Sequence, residues 1–333
     1  MRAMVLTETA PAESHPLVLM DLPDPEPGPG DVRIRVLACG ACHTDLHTVE
    51  GDLTLPRLPL VPGHQVVGVV DAVGAGVSSF EVGDRVGAAW LHDACGACRF
   101  CRRGRENLCK KGRYRGLDVD GGYAELCLAK ADYAFPIPEG FTDFDAAPLL
   151  CAGIIGYRAL RLTGARFGDV LGLFGFGASA HVTIQVALER GIEVHVFSRS
   201  EEHRKHAERL GAVFTGELGD AGPKRLDAAI CFAPAGPMVP RILAKMERGA
   251  TLALAGVTMT PIPEMDYDSL LYQERVVRSV ANFTKRDATE LLALATDIPI
   301  RTDIEVHPLE RANEALLRMK ESRITGAGVL RVG

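Results

Sequence analysis

The sequence predicts an α/β protein in two parts, a β-rich region of short strands and a doubly wound parallel sheet flanked by helices. Three observations lead there. The chain has 333 residues, and at about 150 residues per domain that length favours two domains. Residues 1–150 read as short strand-like runs broken by Gly and Pro turns. From Gly168 onward apolar strands alternate with helical patterns, the rhythm of βαβ units in a parallel sheet.

In chain order, RAMVL and DVRIRVLACG read as strands, and PDPEPGPGD between them as an exposed turn region. VVGVVDAVGAGV, GDRVGAAW and GGYAELCLA continue the β pattern, with Gly where the chain turns sharply. VLGLFGFG is an apolar strand ending in glycines, and HVTIQVALERG an amphipathic helix closed by Gly191. IEVHVFS is a second strand and SEEHRKHAERLGA a charged helix whose His203 and His206 read as solvated surface. RLDAAICFA is a strand, VPRILAKMERG a helix and ATLALAG a strand. The tail holds helices at DATELLALA and LERANEALLRMK and a last strand, AGVLRV.

Apolar residues make up 47% and charged residues 24%, as in globular proteins, and the net charge of −6 offers no global basic field for nucleic acid or acidic membranes. No uncharged apolar run reaches the roughly 18 residues of a membrane span, and MRAMVLTETA has no signal-peptide pattern. The nine cysteines sit mostly at ligand spacings, which argues for a reducing compartment, the cytoplasm.

Cys95, Cys98, Cys101 and Cys109 form C-x2-C-x2-C-x7-C, a set of thiolates that can close around one structural zinc. A four-iron cluster is the rival. Arg99, Arg102, Arg103, Arg105, Lys110, Lys111, Arg113 and Arg115 crowd this segment against Glu106. They read as a solvated lobe, with a zinc-ribbon-like nucleic-acid module as the other possibility. Cys42 in CGACHTDLH, His64 in PGHQVVG and Cys151 in PLLCAG supply two thiolates and an imidazole. Together they would make a zinc site with an open position. Gly175, Phe176 and Gly177 lie between an apolar strand and a helix, with Ala180 following. Such glycines let backbone approach a pyrophosphate at a helix N-terminus.

With these motifs assembled, the chain resembles the zinc-dependent alcohol dehydrogenases of the medium-chain dehydrogenase/reductase superfamily over nearly its whole length. CHTDLH, the GHQ-x-x-G run from Gly63 to Gly68, GDRV, the four-cysteine lobe, GGYAEL, Cys151 and FGFGASA carry the resemblance. It implies a GroES-like catalytic domain over 1–152 and 283–333 and a Rossmann domain over 153–282. It makes Cys42, His64 and Cys151 the catalytic zinc ligands and the four-cysteine lobe structural zinc, two ions per chain. Asp45 then matches the carboxylate that orients the ligand histidine. Thr44 matches the hydroxyl that holds the substrate oxygen, and His47 the outer end of the proton relay. His43 matches a residue near the cofactor pyrophosphate in yeast relatives, and Gly256 and Val257 join the cofactor-binding set. Trp90 is similar to a tryptophan that narrows the substrate pocket there, and Leu53 replaces a second bulky aromatic. Gln65 stands where Glu is usual, and Ala327 where an arginine often meets the cofactor phosphates.

NAD-binding units usually end the second strand in Asp or Glu, whereas this chain has Ser198 and Arg199. Those residues suit a 2′-phosphate, so NADP(H) is favoured over NAD(H). The expected activity is hydride transfer between a primary or small alcohol, or its aldehyde, and NAD(P), with no nucleic-acid or membrane partner, in a homodimer or homotetramer. A zinc-free enone or quinone reductase and a non-catalytic nicotinamide-binding protein are the alternatives.

Overall fold

A computed structural model describes residues 1–298 and 300–333. The chain divides into two compact units, Met1–Cys151 with Thr284–Gly333, and Ala152–Phe283.

The first unit opens with β1 (Arg2–Leu6) and β2 (Leu17–Asp21), an antiparallel pair. Next comes β3 (Asp31–Ala41), where Val32, Ile34 and Val36 are buried and alternate with Arg33 and Arg35, the two-residue period of a pleated strand. It leads directly into α1 (His43–Glu50). β4 (Gln65–Val73) pairs antiparallel with β3. At Gly68 a Cβ would stand 2.2 Å from the Arg35 carbonyl oxygen, so only glycine fits that crossing. β5 (Arg85–Ala88), the short β6 (Leu91–Asp93) and β7 (Arg113–Tyr114), β8 (Leu126–Lys130), β9 (Ala134–Pro136) and α2 (Asp143–Ala146) follow. The β pattern of GGYAELCLA starts only at Leu126. Gly121, Gly122 and Tyr123 instead donate to the carbonyls of Val61, Gly63 and Pro62, in the segment that carries His64.

The second unit runs from α3 (Ala152–Thr163) through β10 (Val170–Phe174), α4 (Ala178–Glu189), β11 (Glu193–Phe197), α5 (Glu201–Arg209), β12 (Phe214–Gly216), β13 (Leu226–Cys231), α6 (Met238–Leu243), β14 (Met246–Leu254), α7 (Tyr267–Leu270) and β15 (Val276–Ser279). Its six strands are all parallel in the order β12-β11-β10-β13-β14-β15. This is the doubly wound Rossmann arrangement, with its switch point between β10 and β13. β10 is buried at every position, as expected of a strand covered on both faces. VPRILAKMERG is helical only to Leu243, and MERG belongs to β14. The Arg225 and Arg275 guanidinium groups donate to the carbonyls of Ala244, Met246 and Glu247, taking those groups out of a helical ladder.

The chain then returns to the first unit through α8 (Lys285–Asp297), β16 (Ile304–Pro308), α9 (Ala312–Lys320) and β17 (Ala327–Arg331). β17 lies antiparallel to β3 with Gly328 opposite Ala41, and the seven-stranded sheet runs β16-β17-β3-β4-β5-β9 with β8 also on β3. Thus the tail braces the strand that delivers Cys42. α9 also reaches α1, where the Lys320 amine meets Glu50 at 2.6 Å.

Candidate active site and metal centres

Cys42 is the N-cap of α1, and its sulfur accepts the Thr44 N–H at 3.5 Å. Asp45 returns the favour by accepting the Cys42 N–H at 3.0 Å, a reciprocal cap that fixes how the chain enters the helix. Gly63, at φ 97°, turns the chain so that His64 points inward ahead of β4. Cys151 follows a short 3-10 turn whose Leu149 and Leu150 are buried. Gly87 makes room there, since a Cβ would come within 2.7 Å of Leu150 and Ile137.

These elements converge. The ligand atoms of Cys42, His64 and Cys151 all lie within 4.8 Å of one another. The two sulfurs are 3.9 Å apart. Zn–S bonds of about 2.3 Å in a tetrahedron put sulfurs about 3.8 Å apart, so the pair is spaced for one ion. His64 is wholly buried, with Nδ1 held by Asp45 Oδ1 at 2.9 Å and Nε2 without any hydrogen-bond partner. A buried ring nitrogen left open beside two thiols is what a metal ligand requires.

The electrostatics agree. The Cys151 thiol, backed by His64 and the Thr44 N–H, holds Cys42 well below the usual thiol range in spite of burial. Its neighbour Cys42 and burial push Cys151 well above that range. Burial disfavours charge on His64, yet Asp45 and Cys42 outweigh it and raise the imidazole to about 10. Asp45 and the Cys42 sulfur thus favour positive charge on the imidazole, and the same surroundings would favour a cation held at Nε2.

Asp45 is buried and takes four donors: Cys42 N–H, Gly63 N–H at 3.2 Å, His64 Nδ1, and the Tyr123 hydroxyl at 3.4 Å. Thr44 is buried with its hydroxyl 3.7 Å from the Cys42 sulfur. His47, one turn further along α1, binds Asp52 Oδ2 through Nδ1 at 2.7 Å. His43 is exposed at the first position of α1. Trp90 sets its ring edge-on to His64 at 4.9 Å. Leu53 is half-buried beyond α1, its N–H on the His47 carbonyl. Gln65 is buried with its amide against Gly40, and Ala327 is buried at the start of β17.

The four-cysteine segment is the loop between β6 and β7. Its sulfurs also lie within 4.8 Å of one another, with Cys98–Cys101 at 3.5 Å and Cys95–Cys101 at 3.9 Å. A four-iron cluster gives each thiolate its own iron and so spreads the sulfurs wider. The close set fits one tetrahedral ion. Backbone N–H groups of Ala97 and Cys98 lower Cys95 to about 6, whereas burial pushes Cys101 up to about 12.

In the second unit, Gly175 at φ 87° ends β10, and Gly177 starts α4 with no side-chain cap. A Cβ at Gly177 would project into open space. No protein packing requires glycine there, and the bare helix start suits a phosphate. Phe176 between them is buried. Gly256 and the exposed Val257 follow β14 at the same carboxyl edge of the sheet. Ser198 follows β11, buried, its N–H on Gly216, and Arg199 is exposed beside it.

The family described as alcohol dehydrogenase GroES-like domain matches residues 28–139. A probable alcohol dehydrogenase of Mycobacterium tuberculosis is 46% identical over 335 residues, covering 99% of this chain and 97% of that one. The chain belongs to the alcohol dehydrogenase family. An alcohol dehydrogenase of Geobacillus stearothermophilus is 37% identical, covering 95% of this chain and 96% of its own. A cinnamyl alcohol dehydrogenase structure from Sorghum bicolor superposes with a TM-score of 0.90 at 29% identity, covering 99% and 97% of the two chains.

In this alcohol dehydrogenase the fold departs from the sequence pattern at His206 and Arg115 and adds Asp52 and Arg204 to the site. His206 is not solvated surface. It is 3% exposed, packed against Phe176 and His181 at 5.5 and 5.9 Å, while His203 is half-buried. Arg115 is not part of a solvated basic lobe. It is fully buried and donates to the Leu128 carbonyl at 2.6 Å and to His92 Nδ1 at 3.1 Å. Asp52 and Arg204 were not singled out. Gly51, left-handed at the end of α1, folds the chain back so that Asp52 reaches His47, a turn that the Gly-Asp pair could have signalled. Arg204 donates to the Ser198 and Arg199 carbonyls and lies 3.6 Å from Glu217. Its helical offset from Ser200 was the available cue. Among the described residues no helix is long and apolar enough to cross a membrane.

Proposed function

We propose that this chain is a zinc-dependent, nicotinamide-linked alcohol dehydrogenase acting on a primary or small alcohol or its aldehyde, with NADP(H) favoured and two zinc ions per chain. The open Nε2 of buried His64 beside the Cys42–Cys151 pair carries the reading. When bound, zinc there supplies Lewis acidity toward the substrate oxygen, and the nicotinamide accepts or returns hydride. Asp45 fixes the tautomer and direction of His64. Thr44, buried beside Cys42, orients the substrate hydroxyl and takes the inner place in proton transfer. His47 takes the outer place, and Asp52 on Nδ1 leaves Nε2 to exchange the proton with solvent.

Gly175 and Gly177 bring backbone close to the pyrophosphate, with Gly256 and Val257 at the same carboxyl edge of the sheet. Arg199, with Arg204 behind it, provides positive charge for a 2′-phosphate where an NAD enzyme carries a carboxylate. Trp90 and Leu53 bound the substrate side. The gathering of six of the cysteines into two metal-ligand sets suits a cytoplasmic enzyme. A homo-oligomer is supported by β15, which ends the six-stranded sheet near Tyr272, 66% exposed.

Metal analysis tests the proposal together with turnover of short, long and aromatic alcohols using NAD and NADP side by side. Two zinc ions per chain are expected, with Cys42→Ser losing one ion and all turnover, and Cys98→Ser losing the other. Full turnover by Cys42→Ser would refute the metal assignment. One zinc per chain without alcohol oxidation would favour the alternatives that lack the catalytic zinc, the enone or quinone reductase or the non-catalytic nicotinamide-binding protein. Sedimentation tests the oligomer.

A further inference from the structure

Trp90 is the chain's one tryptophan. One edge of its ring meets His64, centroids 4.9 Å apart at 74°. Its face stacks on Tyr114, centroids 5.4 Å apart at 15°. Its carbonyl accepts the Arg115 N–H at 2.8 Å. Trp90 therefore sits between a metal-ligand histidine and two consecutive residues that emerge from the four-cysteine lobe.

The lobe is the loop of a hairpin whose strands are only three and two residues long. Leu91 stands opposite Tyr114 and Asp93 opposite Arg113, with an Arg113–Asp93 ion pair at the mouth. A ribbon that short does not hold itself together. It needs its ends tied. Arg115 ties one end by burying its guanidinium on Leu128 and His92. The other tie is the gathered set of sulfurs, in which Cys95, two residues beyond β6, accompanies Cys109, four residues before β7.

We propose that Tyr114 is a positioning residue that holds Trp90 against His64, and that through it the four-cysteine lobe sets one wall of the catalytic metal centre. The proposal rests on reading Cys42, His64 and Cys151 as that centre. The lobe is then more than a remote clip. Closing it aligns Tyr114, Tyr114 stacks Trp90, and Trp90 fixes the room beside His64.

The single tryptophan provides the assay. In zinc-loaded enzyme, Tyr114→Ala is expected to shift Trp90 emission to the red and lower its anisotropy, whereas Tyr114→Phe keeps both. Losing one aromatic stack corresponds to about a two- to twelvefold change in the population of the aligned ring. KM for a short alcohol should rise within that range in Tyr114→Ala, with a smaller change in kcat and with wild-type values in Tyr114→Phe. Cys98→Ser should reproduce the Tyr114→Ala emission shift. Should Tyr114→Ala fail to fold, Tyr114→Leu keeps bulk without the stack and is held to the same expectations. Unchanged emission and KM in the Ala or Leu variant would overturn the positioning role, as would a Phe variant as impaired as Ala. Unchanged emission in Cys98→Ser would overturn the link to the lobe. If the wild type oxidised no alcohol, the dehydrogenase reading would fail, but the emission comparison would still decide this proposal.

Discussion

Replacing Asp45 by Asn removes one charge and converts one acceptor to a donor at a site where every partner donates. The carboxylate faces the Cys42, Gly63 and His64 N–H groups and the Tyr123 hydroxyl. If the amide oxygen keeps His64 and Gly63, its NH2 faces the Cys42 N–H. Tyr123 can turn its hydroxyl to accept, but a backbone N–H cannot. An orphaned buried N–H costs about 1–3 kcal/mol, and losing a negative charge in the first turn of α1 costs about 0.3–1 kcal/mol more. Against this, burial already pushes the Asp45 carboxyl up, so the neutral amide recovers some desolvation. A net loss of about 1–3 kcal/mol in stability is expected. The grip on His64 also weakens, and removing such a partner lowers metal affinity by about 10–100-fold. Urea unfolding gives the first quantity and zinc titration against a competing chelator the second. A folded Asp45→Asn enzyme that holds its catalytic zinc within twofold of wild type would show that Asp45 does not orient His64.

Further outcomes follow from other sites. Burial, aided by Arg115, lowers His92 to about 3. Since the unfolded chain binds that proton near the ordinary value, stability is full above about pH 6.5 and falls on acidification toward pH 3. Between pH 7 and 5.5 His92 alone should cost the wild type on the order of 1 kcal/mol, and His92→Asn should lack that component when unfolding free energies at the two pH values are compared. Gly63→Ala places a Cβ 2.3 Å from the Tyr123 ring at a left-handed φ. About 2–4 kcal/mol of stability should be lost in urea unfolding, and a loss under 1 kcal/mol would show that the turn relaxes freely. Arg199→Ala should raise KM for NADP by about tenfold or more while sparing NAD. Equal changes for both cofactors would sink the 2′-phosphate reading.

What the sequence determined about this protein was local. Cys95, Cys98, Cys101 and Cys109 lie within one short loop, so their spacing alone brings them within reach of one ion. The glycines after VLGLF and the alternation of strand and helix likewise depend on neighbours in the chain, and the six-stranded parallel sheet follows that rhythm. The resemblance to a family then supplied Cys42, His64 and Cys151 as a set, which no spacing could do for residues 22 and 87 positions apart.

Tertiary structure decided which side of each pattern faced inward. A charged helix looks solvated from its composition, yet His206 turns under Phe176. Arg115 looks like one more member of a basic cluster, yet the β8 backbone and His92 supply the acceptors that let it be buried. Gly121 and Gly122 read as strand residues, but strand pairing lost to hydrogen bonds with the His64 segment. Met246 looked helical until Arg225 and Arg275 claimed its carbonyl. In each case the deciding partner is distant in sequence, because a buried polar group must find its complement wherever the fold brings one. The Trp90 contacts belong to the same class. The sequence named the one tryptophan, and only the folded chain set it between Tyr114 and His64.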